Sequence, residues 1–254
     1  MAIATYPSDS APPSISIENA GLHYAGRALF EGLDVRIEGG RFTCLLGPSG
    51  VGKSSLLRLI AGLEPRASET VVRLGSNGNS RRDVAYMAQT DLLLPWLTVI
   101  ENVTLGARLR GERADTERAR ALLDRVGLLD RADDRPRALS GGMRQRVALA
   151  RTLMENRPIV LMDEPFAALD AITRGRLQAL AAELLVGRTV VLVTHDPLEA
   201  LRLAHRIHVM AGRPAHLGEA LEVPGMPPRD PVATAHLGLY ETLLHRLTAA
   251  DTAQ

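Results

Sequence analysis

The residues from Gly47 to Ser54 form the segment of this chain with the clearest chemical meaning. Their order, Gly-Pro-Ser-Gly-Val-Gly-Lys-Ser, matches the phosphate-binding pattern G-x-x-x-x-G-K-[ST] in full. Glycines let such a P-loop curve tightly, so that its backbone N–H groups point at phosphate oxygens. Lys53 would reach the β- and γ-phosphates of a nucleotide, and the Ser54 hydroxyl would bind Mg²⁺. The predicted phosphate contacts are Gly47, Pro48, Ser49, Gly50, Val51, Gly52, Lys53, Ser54 and Ser55.

Lys53 is also the only lysine in a sequence with 30 cationic side chains, since all the others are arginine. Lysine carries a compact ammonium on a thin stem, whereas arginine ends in a broad, flat fork. A genome biased toward arginine would explain why lysine is scarce, but not why the single lysine lies in this loop. The pattern indicates a position where a guanidinium does not fit.

Two carboxylates follow the apolar run of residues 159–162. In open α/β sheets, ligands bind outside the carboxyl ends of the strands, where Asp163 and Glu164 would lie. Asp163 is expected to hold the metal, as the Walker-B aspartate does in P-loop NTPases. Glu164 is then free to polarise the attacking water. A solvated acidic turn before Pro165 is the alternative for an isolated Asp-Glu pair, but the P-loop upstream disfavours it.

The elements that must position these groups are indicated by hydrophobic periodicity. Alternating residues predict antiparallel strands at 14–24 and 33–37, while the apolar run 42–46 is typical of a strand buried on both faces of a parallel sheet. Helical spacing replaces strand patterns from residue 98 to residue 156. Further strands are predicted at 70–74, 84–87, 159–162, 190–193 and 207–210. This alternation predicts an α/β fold: a P-loop NTPase core with a mainly parallel sheet, an N-terminal antiparallel β region and an inserted helical subdomain.

Composition narrows the class of protein further. The 254 residues suffice for one large domain or a core with a subdomain, and a net charge of +1 gives no bulk argument for nucleic acid. The lone Cys44 excludes an intrachain disulfide framework and is expected to be a small buried hydrophobe. No apolar stretch approaches the roughly 20 residues needed to span a bilayer. Residues 1–13 are predicted to be a disordered tail rather than a signal peptide.

The segment 139–143, Leu-Ser-Gly-Gly-Met, is the deciding motif. Ser140 is a natural N-cap for an apolar helical face that runs to Asn156, and the glycines leave backbone N–H groups open toward an anion. Here the sequence resembles the ATP-binding cassette (ABC) family, whose signature is Leu-Ser-Gly-Gly-Gln. With the P-loop before it and Asp163-Glu164 after it, the resemblance covers residues 15–211.

The resemblance implies roles for further residues. Gln89 resembles the Q-loop glutamine, which lies near Mg²⁺ and couples to the membrane partner. His195 resembles the switch histidine that contacts the γ-phosphate, and residues 168–170, Ala-Leu-Asp, resemble the D-loop at the dimer interface. Tyr24 resembles the aromatic side chain that stacks on adenine, with a plain strand-face residue as the alternative. The implied cofactors are ATP and Mg²⁺.

Two departures from the family pattern stand out: Met143 replaces the usual glutamine, and Ala88 stands where phenylalanine is common. Neither change removes a phosphate contact. The run 91–103, which contains Leu-Leu-Pro-Trp, and the methionine-type signature together resemble the ATPases of nitrate, sulfonate, taurine and hydroxymethylpyrimidine importers. Trp96 either fills the core of the helical subdomain or forms a wall of the groove that receives the permease.

The resemblance therefore implies an importer ATPase that works as a homodimer. Each ATP would lie between the P-loop of one subunit and Ser140, Gly141 and Gly142 of the other. The expected partners are two transmembrane permease subunits and a periplasmic or extracellular solute-binding protein, with no nucleic acid. The subunit is expected to be peripheral, on the cytoplasmic side of the cell membrane. The expected boundaries are an ABC ATPase domain at 14–222, with a helical subdomain at about 91–157, and a C-terminal extension at 223–254.

The sequence leaves three alternatives to an importer ATPase. An exporter ATPase is separated from an importer only by the Leu-Leu-Pro-Trp region. A cytosolic ABC ATPase that acts on nucleic acid would usually carry tandem cassettes or a long coiled-coil insertion, but this chain has one cassette and no heptad run. A soluble P-loop kinase is disfavoured, because the signature segment would have no purpose in it.

Overall fold

The computed structural model of the chain describes residues 11–24, 26–65, 69–75, 81–233 and 236–252. The expected tail falls mostly on residues 1–10, which lie outside the described residues. Within the described ranges, no helix is both long enough and apolar enough to cross a membrane.

A small antiparallel sheet forms the N-terminal part of the fold. It contains β1 (Ile15–Tyr24), β2 (Arg27–Ile37) and β4 (Val71–Leu74), in the order β2-β1-β4. In β1, the side chains of Ile15 and Ile17 are buried, whereas Ser16 between them is partly exposed. This alternation agrees with the predicted antiparallel β region.

The main sheet has seven strands and carries the P-loop. Its strands are β3 (Phe42–Leu46), β5 (Val84–Met87), β6 (Ile159–Asp163), β7 (Thr189–Thr194), β8 (Arg206–Ala211), β9 (His216–Leu217) and β10 (Leu221–Glu222). The order is β10-β8-β3-β7-β6-β5, with β9 paired to β8. All pairs among β3, β5, β6, β7 and β8 are parallel, so the predicted mainly parallel sheet is confirmed.

Parallel pairing brings the predicted site segments to one edge of this sheet. Leu46, the last residue before the P-loop, is paired with Thr194, and Asp163 is paired with Val193. Every residue of β3, β6 and β7 is buried, as expected for strands covered on both faces.

The helices pack on both faces of the sheet. They are α1 (Lys53–Ala61), α2 (Val99–Val103), α3 (Leu105–Leu109), α4 (Thr116–Arg125), α5 (Gly141–Met154), α6 (Ala171–Leu184), α7 (Pro197–Leu203) and α8 (Leu237–Thr252). Residues 88–158 contain helices but no strand, in agreement with an inserted helical segment. One core joins this segment to the sheet, for example through Val103, Leu149 and Met162.

The segment after Glu222 packs on the same body. Helix α8 contributes Leu243 and Ala250 to a core that also contains Cys44, Leu46 and Ile207. Cys44 is fully buried in this core, as its apolar setting predicted.

Candidate functional site

The P-loop owes its shape to glycines at positions where a side chain would not fit. Gly52 has a φ of 113°, in the region of backbone conformation that L side chains rarely adopt. A Cβ atom on Gly47 would lie only 2.6 Å from the carbonyl oxygen of Met210 on β8. Neither position therefore accepts another residue without a shift of the loop.

Lys53 is enclosed by the loop that precedes it. Its side chain is only 5% exposed, and Nζ donates hydrogen bonds to the carbonyl oxygens of Gly47 and Pro48, both at 2.8 Å. Burial lowers the pKa of Lys53, while the nearby carboxylates of Glu164 and Asp163 oppose that change. The ammonium is thus held at the floor of the loop, where an anion would gain a strong charge-assisted contact.

Ser54 and Asp163 meet beside the lysine. The Ser54 hydroxyl donates a 2.8 Å hydrogen bond to Oδ1 of Asp163, although 109 residues separate them in the chain. Burial raises the pKa of Asp163, and the charge of Glu164 adds to the rise, whereas the bond from Ser54 opposes it. A nearby divalent cation would favour the charged carboxylate.

The donor set fits Mg²⁺ bound together with a nucleotide. No group of three or more His, Cys, Asp or Glu side chains able to hold a metal occurs among the described residues. Mg²⁺ commonly takes one or two carboxylates plus phosphate oxygens and water rather than an all-protein cage. Asp163 with the Ser54 hydroxyl satisfies that requirement.

Glu164 lies between two of the predicted site residues. Its Oε1 is 3.2 Å from Nδ1 of His195, and its Oε2 is 3.4 Å from Nε2 of Gln89. Its backbone N–H donates to the carbonyl of Val193 at 2.9 Å, and its φ is 47°, a left-handed conformation. This uncommon backbone turns the carboxylate toward His195 and Gln89.

A cleft of about 390 Å³ collects most of the predicted residues. Its lining consists of Tyr24, Leu29, Ser49, Gly50, Gly52, Lys53, Ser54, Ser55, Gln89 and Glu164. Tyr24 stands at the rim with 46% of its surface exposed, and its hydroxyl donates to Glu64 at 2.9 Å. A second cleft, of about 530 Å³, shares Ser49 and contains Gly47, Pro48 and His195.

The signature residues do not line either cleft. Ser140 is exposed and caps α5 by accepting a 3.3 Å hydrogen bond from the N–H of Met143. Gly141 is exposed as well, and a Cβ on Gly142 would lie 3.2 Å from the carbonyl oxygen of Ala168. The signature segment is thus at least partly exposed and separate from the two clefts around the phosphate loop of its own chain.

Sequence reasoning missed residues that join these segments. The buried amide of Gln145 donates to the carbonyl of Pro165 at 3.2 Å, directly after Glu164. Arg144 and Arg151 on α5 hold the loop after Gln89, by contacts with the side chain and backbone of Asp91. The seven-residue spacing of these arginines, which places them on one helix face, is the signal that could have found them.

Comparisons with known proteins show which family the chain resembles. A family model described as ABC transporter matches residues 30–167. The chain is 45% identical over 204 residues to an uncharacterized ABC transporter ATP-binding protein of Haemophilus influenzae, covering 80% of this chain and 84% of that protein. It is 44% identical over 244 residues to the aliphatic sulfonates import ATP-binding protein SsuB of Burkholderia pseudomallei. That match covers 94% of this chain and 72% of the Burkholderia protein.

Solved structures of ATP-binding cassettes are also similar to this chain. The dimeric structure of the ATP-binding cassette MJ0796 in a post-hydrolysis state, bound to ADP and Pi, matches with a TM-score of 0.74 and 31% identity. The match covers 84% of this chain and 100% of that one. A second dimeric structure of MJ0796, described as a bacterial ABC transporter cassette, matches with a TM-score of 0.74 and 32% identity.

Proposed function

Because this chain belongs to the ABC transporter family and therefore binds and hydrolyses ATP, we propose that it powers the import of an aliphatic sulfonate. The observation that carries the proposal is its likeness to proteins named as sulfonate-import ATPases. Besides the Burkholderia protein, SsuB 1 of Pseudomonas syringae pv. syringae is 43% identical over 82% of this chain. The solute itself would be selected by other subunits.

The proposed site roles follow from the contacts in the cleft. Lys53 binds the β- and γ-phosphates, while Ser54 and Asp163 hold Mg²⁺, which neutralises charge on the phosphates when bound. Glu164 polarises the attacking water, and His195 and Gln89 fix its carboxylate from either side. Tyr24 stacks on the adenine at the rim of the cleft.

A homodimer completes the proposed site. Ser140 and Gly141 are exposed, Gly142 is partly exposed, and none of the three lines the cleft that contains Lys53 of their own chain, so they are available to the nucleotide of a second copy. Backbone N–H groups at the start of α5, an anion-binding helix end, would then contact the γ-phosphate from the opposite side. The dimeric state of the solved relatives supports this arrangement.

The proposed permease surface lies beside Gln89. Leu92, Trp96 and Leu109 are large apolar side chains with exposed fractions of 62%, 65% and 78%. Exposed large apolar side chains can mark an interaction surface, and Leu92 and Trp96 lie in the segment that directly follows Gln89. Two permease subunits would dock here, placing the ATPase peripherally on the cytoplasmic side of the membrane, and a separate binding protein would deliver the solute.

The proposed domain limits are those expected from the sequence. The ATPase domain spans residues 14–222, with its helical subdomain at about 91–157, and the segment 223–254 is a C-terminal extension packed on it.

Genetic replacement tests the proposal directly. The gene would be placed in a Burkholderia pseudomallei strain that lacks SsuB, with an aliphatic sulfonate as the only sulfur source. Growth that depends on an intact Lys53 supports sulfonate import. If growth fails although the protein is expressed and hydrolyses ATP, the sulfonate proposal is wrong. Complementation of strains that lack the ATPase for nitrate or hydroxymethylpyrimidine uptake would then identify the solute.

A further inference from the structure

The cleft beside His195 has one wall that the proposed nucleotide site does not use. It is the cleft of about 530 Å³ that shares Ser49 with the nucleotide cleft. Its full lining is Gly47, Pro48, Ser49, His195, Leu247, Thr248 and Asp251. The last three belong to α8. The C-terminal segment of the chain therefore reaches the phosphate loop.

Helix α8 is fixed in this place by its other face. Leu243 and Ala250 are buried in the core that also contains Cys44 of β3. Arg246 donates a 2.6 Å hydrogen bond to the carbonyl oxygen of Glu219. The end of α8 is thus part of the same body as the phosphate loop, and its wall of the cleft does not depend on a bound ligand.

The wall combines one apolar and one acidic side chain. Leu247 is partly buried, while Asp251 is exposed. They are four residues apart in a helix, so they lie next to each other on one face. The surface offered to the cleft is therefore an apolar side chain with a carboxylate beside it.

The start of α6 presents the complementary pair. Ile172 has 79% of its surface exposed, and Arg176, four residues later on the same helix face, is also exposed. Within the part of the chain that the structure describes, neither Arg176 nor Asp251 takes part in an ion pair. The two helices thus match in spacing, apolar character and opposite charge.

The signature segment shows how the start of α6 would reach this cleft in a dimer. A Cβ atom on Gly142 would lie 3.2 Å from the carbonyl oxygen of Ala168 and 3.6 Å from the side chain of Leu169, just before α6. If the signature of a second copy covers the nucleotide, its residues 168–176 must therefore lie over a neighbouring cleft. The cleft with His195 is at the proposed γ-phosphate end, which the signature contacts, whereas a further cleft with Tyr24 is at the proposed adenine end.

The symmetry of such a dimer is compatible with this contact. A two-fold interface uses the same surface on both copies, so the start of α6 and the cleft must share one face of the chain. Arg174 on α6 donates a 2.9 Å hydrogen bond to the carbonyl of Leu169 and lies 3.7 Å from the carboxylate of Asp196, next to His195. The start of α6 and the His195 side of the cleft are therefore neighbours, and each dimer would contain the contact twice.

We propose that the end of α8 is part of the surface that binds a second copy of this chain. Leu247 packs against Ile172 of the second copy, and Asp251 forms an ion pair with Arg176 of the second copy. The inference rests on the proposed sandwich dimer and assigns a role in it to the C-terminal segment. Helix α8 then stabilises the closed dimer without touching the nucleotide.

Charge reversal in the full-length chain tests the contact. The dissociation constant of the dimer is measured by sedimentation velocity with Mg-ATP, in protein that carries Glu164→Gln. Asp251→Arg and Arg176→Asp should each raise this constant on the order of tenfold, because two ion pairs per dimer become like-charge contacts. Both changes together reverse the pair and should restore the constant to within about threefold of the starting protein.

Glu241→Arg is the matched control. It makes the same charge change at an exposed position of α8 that does not line the cleft, and should leave the dissociation constant unchanged. The ATP affinity of the dilute monomer, measured by fluorescence titration, should stay within about twofold in every charge variant, because the phosphate contacts are unchanged.

The outcomes separate this contact from the dimer itself. If the Glu164→Gln protein stays monomeric with Mg-ATP, the sandwich is wrong and this inference is wrong with it. If that protein dimerises and Asp251→Arg leaves the dissociation constant unchanged, only the role of α8 is overturned. If both single changes weaken the dimer but their combination does not restore it, Arg176 is not the partner of Asp251 and the proposed pairing is wrong.

Discussion

The guanidinium of Arg144 lies 3.0 Å from the carboxylate of Asp91, between Nε and Oδ2, and so joins the signature helix α5 to the loop after Gln89. Arg151, two turns further along, donates to the carbonyls of Asp91 at 2.6 Å and Leu92 at 2.9 Å. The loop beside the proposed permease surface is therefore held by the same helix whose N-cap, Ser140, is proposed to contact the nucleotide of a second subunit. A displacement of the loop after Gln89 is therefore expected to displace helix α5 as well.

Asp91→Asn should lower the uptake per ATP hydrolysed, while the free energy of unfolding changes only slightly. The ion pair is about one-third exposed, so its loss should lower the free energy of unfolding by less than about 1 kcal/mol. Uptake per ATP hydrolysed, measured in proteoliposomes with the permease, should fall because α5 no longer follows the loop. Arg125→Gln, which breaks the exposed pair with Glu183, is the matched control. Equal transport in both variants would show that the Asp91 contact plays no part in coupling.

Both Lys53→Ala and Lys53→Arg should bind ATP much more weakly than the wild type. Alanine removes a charge-assisted contact worth about 1.5–3 kcal/mol, or roughly 10- to 100-fold in affinity. Arginine keeps the charge, but its wide fork cannot lie between the carbonyls of Gly47 and Pro48, which are both 2.8 Å from Nζ. Titration calorimetry with ATP measures the affinity, with Arg58→Lys on the same helix as the control. Near-normal affinity in either variant contradicts the proposed phosphate site.

Glu164→Gln should separate binding from hydrolysis. The amide keeps the size of the side chain but lacks the basic oxygen, so hydrolysis is expected to fall by about 10²–10⁴-fold. Binding should survive, because Lys53, Ser54 and Asp163 are unchanged. With Mg-ATP the variant should then elute as a dimer in size-exclusion chromatography, and adding Ser140→Arg should return it to a monomer. Normal turnover would exclude Glu164 as the base, and an inactive variant that stays monomeric would contradict the sandwich.

The pH dependence of stability should change in Glu199→Gln. Burial raises the pKa of this carboxyl from 4.5 to about 7, so between these values the native state binds more protons than the unfolded state. Wild-type stability from this group is therefore present at low pH and is lost as the pH rises toward 7 and beyond. The glutamine variant cannot ionise, so its free energy of unfolding in urea should increase relative to that of the wild type from pH 5 to pH 8. The increase should be on the order of 3 kcal/mol at most. A constant difference across that range would mean that Glu199 is not a titrating buried acid.

Much of the fold could be predicted because its signals are local. A predominantly apolar strand such as 42–46, a glycine loop and a helix start are each encoded within a few consecutive residues, and the parallel sheet follows from their alternation. The same holds for Lys53 and Ser54, whose positions are dictated by the backbone curvature that the glycines permit. The membership of β4 in the small sheet, by contrast, depends on pairing with β1 more than fifty residues away, through contacts such as Ile17 with Val72.

The phosphate-binding pattern, the carboxylate predicted to bind metal and the motifs of an ABC ATPase could all be recognised in the sequence, because they depend on residue type and short-range spacing. The packing of the fold, in contrast, sets which side chains meet: Ser54 with Asp163, Glu164 with His195, Arg144 with Asp91, and Glu199 with Gln178. These pairs join residues that are far apart in the chain or that lie on different helices, and their distances are set by how the strands and helices pack. A local pattern contains no information about that packing, so it can name the reactive groups but not the partners that orient them.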